Sequence, residues 1–190
     1  LPEGFWDFKG NDTREYTHGI HSYPAMMVCP ISRNIIKIMN EVMPISSLFD
    51  PFSGSGTVLV EGMLAGIPNI LGNDINPLAL FLAKAKTTLL DVNALQYSAN
   101  ELLSSIQNRY EQYMLQIDSV DDVLMNAYGL DLTAKSGWGD DGSHYLKEFC
   151  EKNKVNISIP DFKNIGYWFK PRVILLLQII KDEINKIEDK

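Results

Sequence analysis

Two features of the chain carry residue types that can do chemistry, and they lie about twenty residues apart. The first is the run Asp50, Pro51, Phe52, Ser53, Gly54, Ser55, Gly56, Thr57, set between two apolar stretches. A Gly-Ser-Gly turn lets backbone approach a ligand closely, because no Cβ intervenes. A helix starting after it points free N–H groups at whatever sits there and favours an anionic group. The second feature is Asp74, which follows the next apolar run and precedes Ile75 and Asn76. At the end of a strand, an acid can accept hydrogen bonds from both hydroxyls of a ribose, one on each oxygen.

Phosphates and adenosylmethionine-type cofactors both use such turns, and the residues disfavour the phosphates. A phosphate-binding loop of the Walker kind needs Lys followed by Ser or Thr after its last Gly. Here Thr57 and Val58 follow Gly56, with no Lys nearby. The dinucleotide fingerprint needs a third Gly, and Leu59 occupies that position. A bare turn plus a ribose-holding acid implies an adenosine-containing ligand without a large phosphate group. His18 and His21 have no cluster of Cys or carboxylates beside them in sequence, so no metal is expected.

These residues need elements to position them. The sequence predicts an irregular lead-in over Leu1 to Tyr16, packed by Trp6 and Phe8. It predicts an extended segment punctuated by Tyr23-Pro24 and Cys29-Pro30, then a helix capped by Ser32 and running to about Met43. Ser46 to Phe49 reads as a strand, Thr57 to Ala65 as a helix closed by Gly66, and Asn69 to Gly72 as a second buried strand. Pro77 suits the first position of a helix reaching about Thr88. Strand, turn, helix, strand is a βαβ unit with parallel strands and a right-handed crossover.

Beyond Asp91 the pattern becomes helical. Ala94 to Ile117 reads as one long amphipathic helix striped by Leu95, Leu102, Leu103, Ile106, Tyr110, Tyr113 and Met114. Asp118 to Asp131 adds an apolar stretch with an acidic start. Lys135 to Ser143 reads as an exposed loop holding Trp138, Asp140 and Asp141. Gly142 to Lys152 reads as a short helix with His144 on the surface. Pro171 to Lys186 reads as a helix with Val173, Leu176, Leu177, Ile180 and Ile184 on one face, as core or interdomain surface. The expected division is 1–93 for the ligand-binding α/β portion and 94–190 for a mostly helical subdomain.

Composition narrows the class. The 190 residues are 45% hydrophobic, enough for a buried core. No apolar run is long enough to cross a bilayer, and there is no signal-peptide-like start. Cys29 and Cys150 form no pair in sequence, which suits a reduced, cytoplasmic protein. The net charge is −7, with 24 acidic against 17 basic residues. Phosphate contacts dominate nucleic-acid affinity, so this chain alone is a poor non-specific binder of DNA.

The Asp50 to Thr57 run resembles the cofactor motif, Asp-Pro-Phe-x-Gly-Ser-Gly-Thr, of S-adenosylmethionine-dependent DNA amino-methyltransferases. Gly72 to Ala79, "GNDINPLA", is similar to their second motif. Thr17 to Met27, "THGIHSYPAMM", resembles the segment lying before the glycine motif in that family, and Ala83 to Thr88, "AKAKTT", resembles the helix after the ribose acid. The matches run in the family's order over about half the chain, Phe5 to Leu90. The resemblance implies a Rossmann-like methyltransferase βαβ core with an added helical subdomain, hence an α/β fold class.

It also implies roles. Gly54 and Gly56, with the backbone of Pro51, Phe52, Ser53, Ser55 and Thr57, would contact the methionine portion of S-adenosylmethionine. Asp50 would lie near the cofactor amino group or fix the turn. Asp74 would hold the ribose, with Ile75 beside the adenine and Asn76 next to it. Thr17, His21, Tyr23 and Pro24 would contact the carboxylate side. The family's amine-activating motif, a polar residue followed by Pro-Pro and an aromatic, is absent from these residues, since no two prolines adjoin. That motif directs the target nitrogen at the methyl group and stacks the flipped base. It is expected in a longer parent, through which DNA would bind, so that this chain alone holds cofactor without catalysing transfer. Two other readings stay open: an RNA methyltransferase of the transfer-RNA type, and a non-catalytic cofactor-binding module.

Overall fold

The structure is a computed structural model that describes residues 4–24, 26–134, 137–138 and 142–187. It divides into two compact units, Leu1–Leu90 and Asp91–Lys190.

The first unit carries a 3-10 turn at Tyr16–Ile20, then α1 (Cys29–Val42), β1 (Ser47–Asp50), α2 (Thr57–Leu64), β2 (Asn69–Gly72) and α3 (Pro77–Thr87). The strands pair in parallel, with Ser47 opposite Asn69 and Asp50 opposite Gly72. A parallel pair cannot be joined by a tight hairpin, and α2 makes the crossover. It is the centre of the unit, packing on α1, α3 and both strands. Leu59 and Val60 of α2 are buried with Cys29, Ile36, Ile67, Ala79, Leu82 and Ala83. Leu48 and Ile70 lie against Gly62 of α2, whereas Phe49 and Leu71 on the opposite sheet face are more than 60% exposed. The unit is therefore α/β, with a two-stranded parallel sheet among the described residues, covered on one face.

The helix starts follow cap chemistry. Asn76 Oδ1 accepts the Leu78 N–H at 3.0 Å, and Pro77 opens α3 where its missing N–H costs nothing. The same rule corrects the expected start of α1. Pro30 lies in its first turn, so the helix begins at Cys29, and Ser32 is inside it rather than capping it. Ser32 is buried, with its hydroxyl donating to Met27 Sδ at 2.9 Å.

The regular elements among the described residues of the second unit are all helices: α4 (Val92–Gln112), α5 (Met114–Tyr128), α6 (Gly142–Lys152), α7 (Ile165–Trp168) and α8 (Pro171–Ile184). Its core joins Ile117, Val120 and Leu124 of α5 to Leu146 and Phe149 of α6 and to Ile174, Leu175 and Ile179 of α8.

Three expectations are corrected here. The long helix breaks at Tyr113, which closes α4, opens α5 and turns its ring into the core. No residue of α4 is fully buried, and Leu95 and Leu103 are exposed. On α8, Val173, Leu177, Ile180 and Ile184 are exposed, and Ile174, Leu175, Gln178, Ile179 and Glu183 are buried instead. That helix is apolar around most of its circumference, and hydrogen bonding decides which face turns inward. Gln178 donates to Ser158 Oγ at 3.0 Å, and Glu183 accepts from Ser105, Arg109 and Lys186. Trp138 is 4% exposed, not on a loop surface, and its indole N–H donates to the Phe169 carbonyl at 2.7 Å. Asp140 and Asp141 lie outside the described residues. His144 is exposed, as expected. None of the described helices is long and apolar enough to cross a membrane.

Candidate functional site

The site is built where β1 and β2 end side by side. Their parallel register brings the turn after Asp50 next to the residues after Gly72. The Asp50 carbonyl accepts the Asn73 N–H at 2.9 Å, and the Asn73 carbonyl accepts the Ser53 N–H at 2.9 Å. The Asp50 carboxylate accepts the Phe52 N–H at 3.0 Å, an Asx-type turn that folds the chain back. The Gly56 N–H then closes on the Ser53 carbonyl at 2.8 Å.

The two glycines have different reasons to be glycine. Gly56 has φ +86°, and a Cβ there would stand 2.9 Å from both Cα and Cβ of Ala83 on α3. It lets α3 press against the start of α2. Gly54 has φ +49°, and the nearest atom to a Cβ there is Tyr23 Cε1, 4.0 Å away. A side chain at Gly54 would therefore fill open space beside Tyr23, a cradle for a ligand group. No side chain caps α2.

Asp74 ties these parts together. One carboxylate oxygen accepts the Gly54 N–H at 2.9 Å, and the other accepts the Asn76 N–H at 2.9 Å. Asn76 Nδ2 is 2.9 Å from the Tyr23 hydroxyl. Tyr23, Asp50, Ser53, Gly54, Gly56, Asp74 and Asn76 thus form one hydrogen-bonded or contacting group. Ser55 and Thr57 are buried beneath the turn. Thr17 donates to the Lys86 carbonyl at 3.0 Å. His21, Pro24, Pro51, Phe52 and Ile75 are exposed, Ile75 at 98% and Phe52 at 87%. Phe52 joins the group through its backbone N–H to Asp50, and the Pro51 carbonyl accepts from Asn73 Nδ2 at 3.4 Å.

Sequence reasoning missed a buried charge network behind the turn. Glu61 of α2 is 2% exposed, and its carboxylate meets His18 Nε2 at 2.9 Å and Arg33 through Nε at 2.9 Å and Nη2 at 3.0 Å. Arg33 also reaches Glu15 at 2.9 Å. His18 lies between Thr17 and the segment leading to Tyr23, so this network fastens that segment to α2. The one available signal was an acid within an otherwise apolar helix. His18, Cys29 and Glu61 offer ligand atoms within 4.8 Å of one another. On Glu61, however, the Arg33 guanidinium already takes the place a metal cation would fill. Burial pushes the Cys29 thiol above its usual range, away from the thiolate that binds metal. Sequence reasoning also missed Lys86, which is buried beside Ser55. A cleft in this unit of about 480 Å³ is lined by Tyr16, Arg33, Lys37, Asn40 and Leu64 among others, and shares no residue with the turn.

Two known proteins resemble this chain. The Type II methyltransferase M.MvaI of Kocuria varians is 35% identical over 184 residues, 96% of this chain and 32% of that protein. The Type II methyltransferase M.MjaII of Methanocaldococcus jannaschii is 33% identical over 90 residues, 47% of this chain and 16% of that protein. No family model and no solved structure matches the chain. By sequence the chain is a homologue of the type II DNA methyltransferases, and it spans about a third of the length of the first relative it matches.

Proposed function

We propose that the chain is the S-adenosylmethionine-binding portion of a DNA methyltransferase that acts on an exocyclic amine of adenine or cytosine. The observation that carries this reading is the bond of 2.9 Å between the Gly54 N–H and the Asp74 carboxylate. It holds the glycine turn against the acid, so that one ligand could touch both. The fit is also chemical. The turn offers bare backbone, Gly54 leaves room beside Tyr23, and the acid can take two hydroxyls without meeting a phosphate. When bound, S-adenosylmethionine would supply an electrophilic methyl on sulfur.

The protein's own part is to hold and orient that group. Asp74 would accept from the ribose, Ile75 would lie along the adenine, and Gly54 to Gly56 would face the amino-acid tail. Thr17, His21, Tyr23 and Pro24 would close the carboxylate side. These residues contain no adjoining prolines, so the groups that activate the amine and grip DNA belong to a longer parent in this reading. The relative M.MvaI, about three times as long as the matched region, is in keeping with it.

The test is calorimetric titration of the chain with S-adenosylmethionine and, separately, with ATP. Binding of S-adenosylmethionine alone is expected. Binding of ATP alone overturns the reading.

A further inference from the structure

Lys86 lies in the last turn of α3 and is 1% exposed, yet no described carboxylate pairs with it. Lysine is almost never fully buried unless paired. The neighbours of its Nζ among the described residues are Ser55 Oγ at 3.2 Å and Met26 Sδ at 4.0 Å. One hydroxyl and one thioether leave an ammonium with three donors under-supplied and without a counter-charge. Burial accordingly draws the amine below the usual lysine range. Thr17 donates to the Lys86 carbonyl and fixes the backbone from which the stem departs. A buried cation without an anion is costly, and an anionic ligand group reaching it would relieve that cost.

Ser55 is the middle residue of the Gly-Ser-Gly turn, so the ammonium lies directly behind the candidate ligand site. Helix α2 begins two residues later without a side-chain cap, and its N-terminal field adds to the same positive potential. The other neighbour of the ammonium, Met26 Sδ at 4.0 Å, belongs to a residue that is 38% exposed and flexible in type. We propose that Lys86 is the positive charge that recognises the carboxylate of the ligand's amino-acid tail, which it meets as the Met26 side chain moves aside. This rests on the S-adenosylmethionine reading above and adds a specificity to it. The site selects an adenosyl amino acid over the same molecule without its carboxylate.

The experiment uses the full chain and two probes, S-adenosylhomocysteine and its decarboxylated analogue. Wild-type protein is expected to bind the first about tenfold to a hundredfold more tightly, the range of a hydrogen bond to a charged group. Lys86→Met keeps the length and apolar body of the side chain and removes the charge. It is expected to weaken S-adenosylhomocysteine by that same factor and to leave the decarboxylated analogue within about threefold, erasing the discrimination. If the wild type binds both probes equally, or if Lys86→Met binds S-adenosylhomocysteine as the wild type does, Lys86 is a structural amine and the proposal falls while the cofactor reading stands. Equal binding of the two probes by the wild type overturns the proposal even if the variant does not fold, and Lys86→Gln then serves as the second variant with the same expected loss of discrimination. No binding of S-adenosylhomocysteine by wild type removes the cofactor reading, and this proposal with it.

Discussion

Replacing Glu61 by alanine should be among the most damaging single changes in the first unit, and the structure sets its size. The carboxylate is 1% exposed in its side chain and holds His18, itself 3% exposed, at 2.9 Å. Removing it leaves a buried imidazole nitrogen without its partner, which costs about 1–3 kcal/mol. It also breaks the Arg33 pair, whose guanidinium is 39% exposed and can recover water. The half-exposed Arg33–Glu15 contact that remains is worth about 1 kcal/mol or less. With about 1 kcal/mol more for the half-exposed Arg33 pair, the loss is about 2–4 kcal/mol, reaching into the usual range for breaking a buried pair, about 3–5 kcal/mol. Hydrogen exchange of the α2 amides reads this unit without interference from the helical one. Exchange through unfolding should quicken by about one and a half to three orders of magnitude. Arg33→Met should cost less, because Glu61 keeps His18. If Glu61→Ala changes α2 protection by less than about fivefold, the network is a bystander and the account of how Thr17 to Tyr23 is fastened is wrong.

Three further outcomes can be checked. Gly56→Ala forces a Cβ into left-handed backbone and to 2.9 Å from Ala83, so chemical denaturation should show a loss of about 2 kcal/mol or more. Glu183 is held down to about 2, chiefly by Lys186, then by Ser105 and Arg109, against the opposing effect of burial. A depressed carboxyl contributes stability that is complete above its ordinary value of 4.5 and is lost as pH falls toward 2, so Glu183→Gln should flatten the acid limb of a urea-midpoint profile across that window. Asp74→Asn must offer an NH2 to either Gly54 or Asn76, both donors, and should abolish binding of S-adenosylhomocysteine while lowering stability by about 1–3 kcal/mol.

What was legible in the sequence follows from what is local. The elements around the turn are marked by Pro, Gly and Asn at defined backbone positions, so β1, α2, β2 and α3 fall within a residue or so of expectation. Ser32 misled because Pro30 was read as ending an extended segment rather than opening a helix, and a proline is compatible with both. The second unit was harder to read. Helix α8 is apolar on two faces, and the buried one holds Gln178 and Glu183, whose partners Ser158, Ser105 and Arg109 lie far away in sequence. Periodicity alone favours the purely apolar face. The break at Tyr113 was equally hidden, since no Gly or Pro marks it. Within the site, the glycines and Asp74 were visible as types. Lys86 and the His18–Glu61–Arg33 set were not, because only the fold brings their charges together.

The bonds of Asp74 raise a question that bears on the whole site, since both its oxygens already accept backbone N–H groups. A carboxylate has about four lone-pair positions, two on each oxygen. One amide on each oxygen leaves one position on each for a hydroxyl, so in the proposed role the two bonds would orient the acid for a ribose without using it up. They also link it to the turn. The Gly54 amide that fixes one oxygen belongs to the residue against which the ligand's tail would lie, so a shift of either element displaces the other. A carboxylate with one position open on each oxygen can accept from two hydroxyls side by side. A free acid at the same position would spend its time in many rotamers and lose that freedom on binding. Here the fold has already removed it. The same economy explains why Asn76, which supplies the second amide, also caps α3 and reaches Tyr23. One short segment after β2 thereby sets the acid, the helix and the aromatic wall in a single arrangement, and a ligand has little left to order when it arrives.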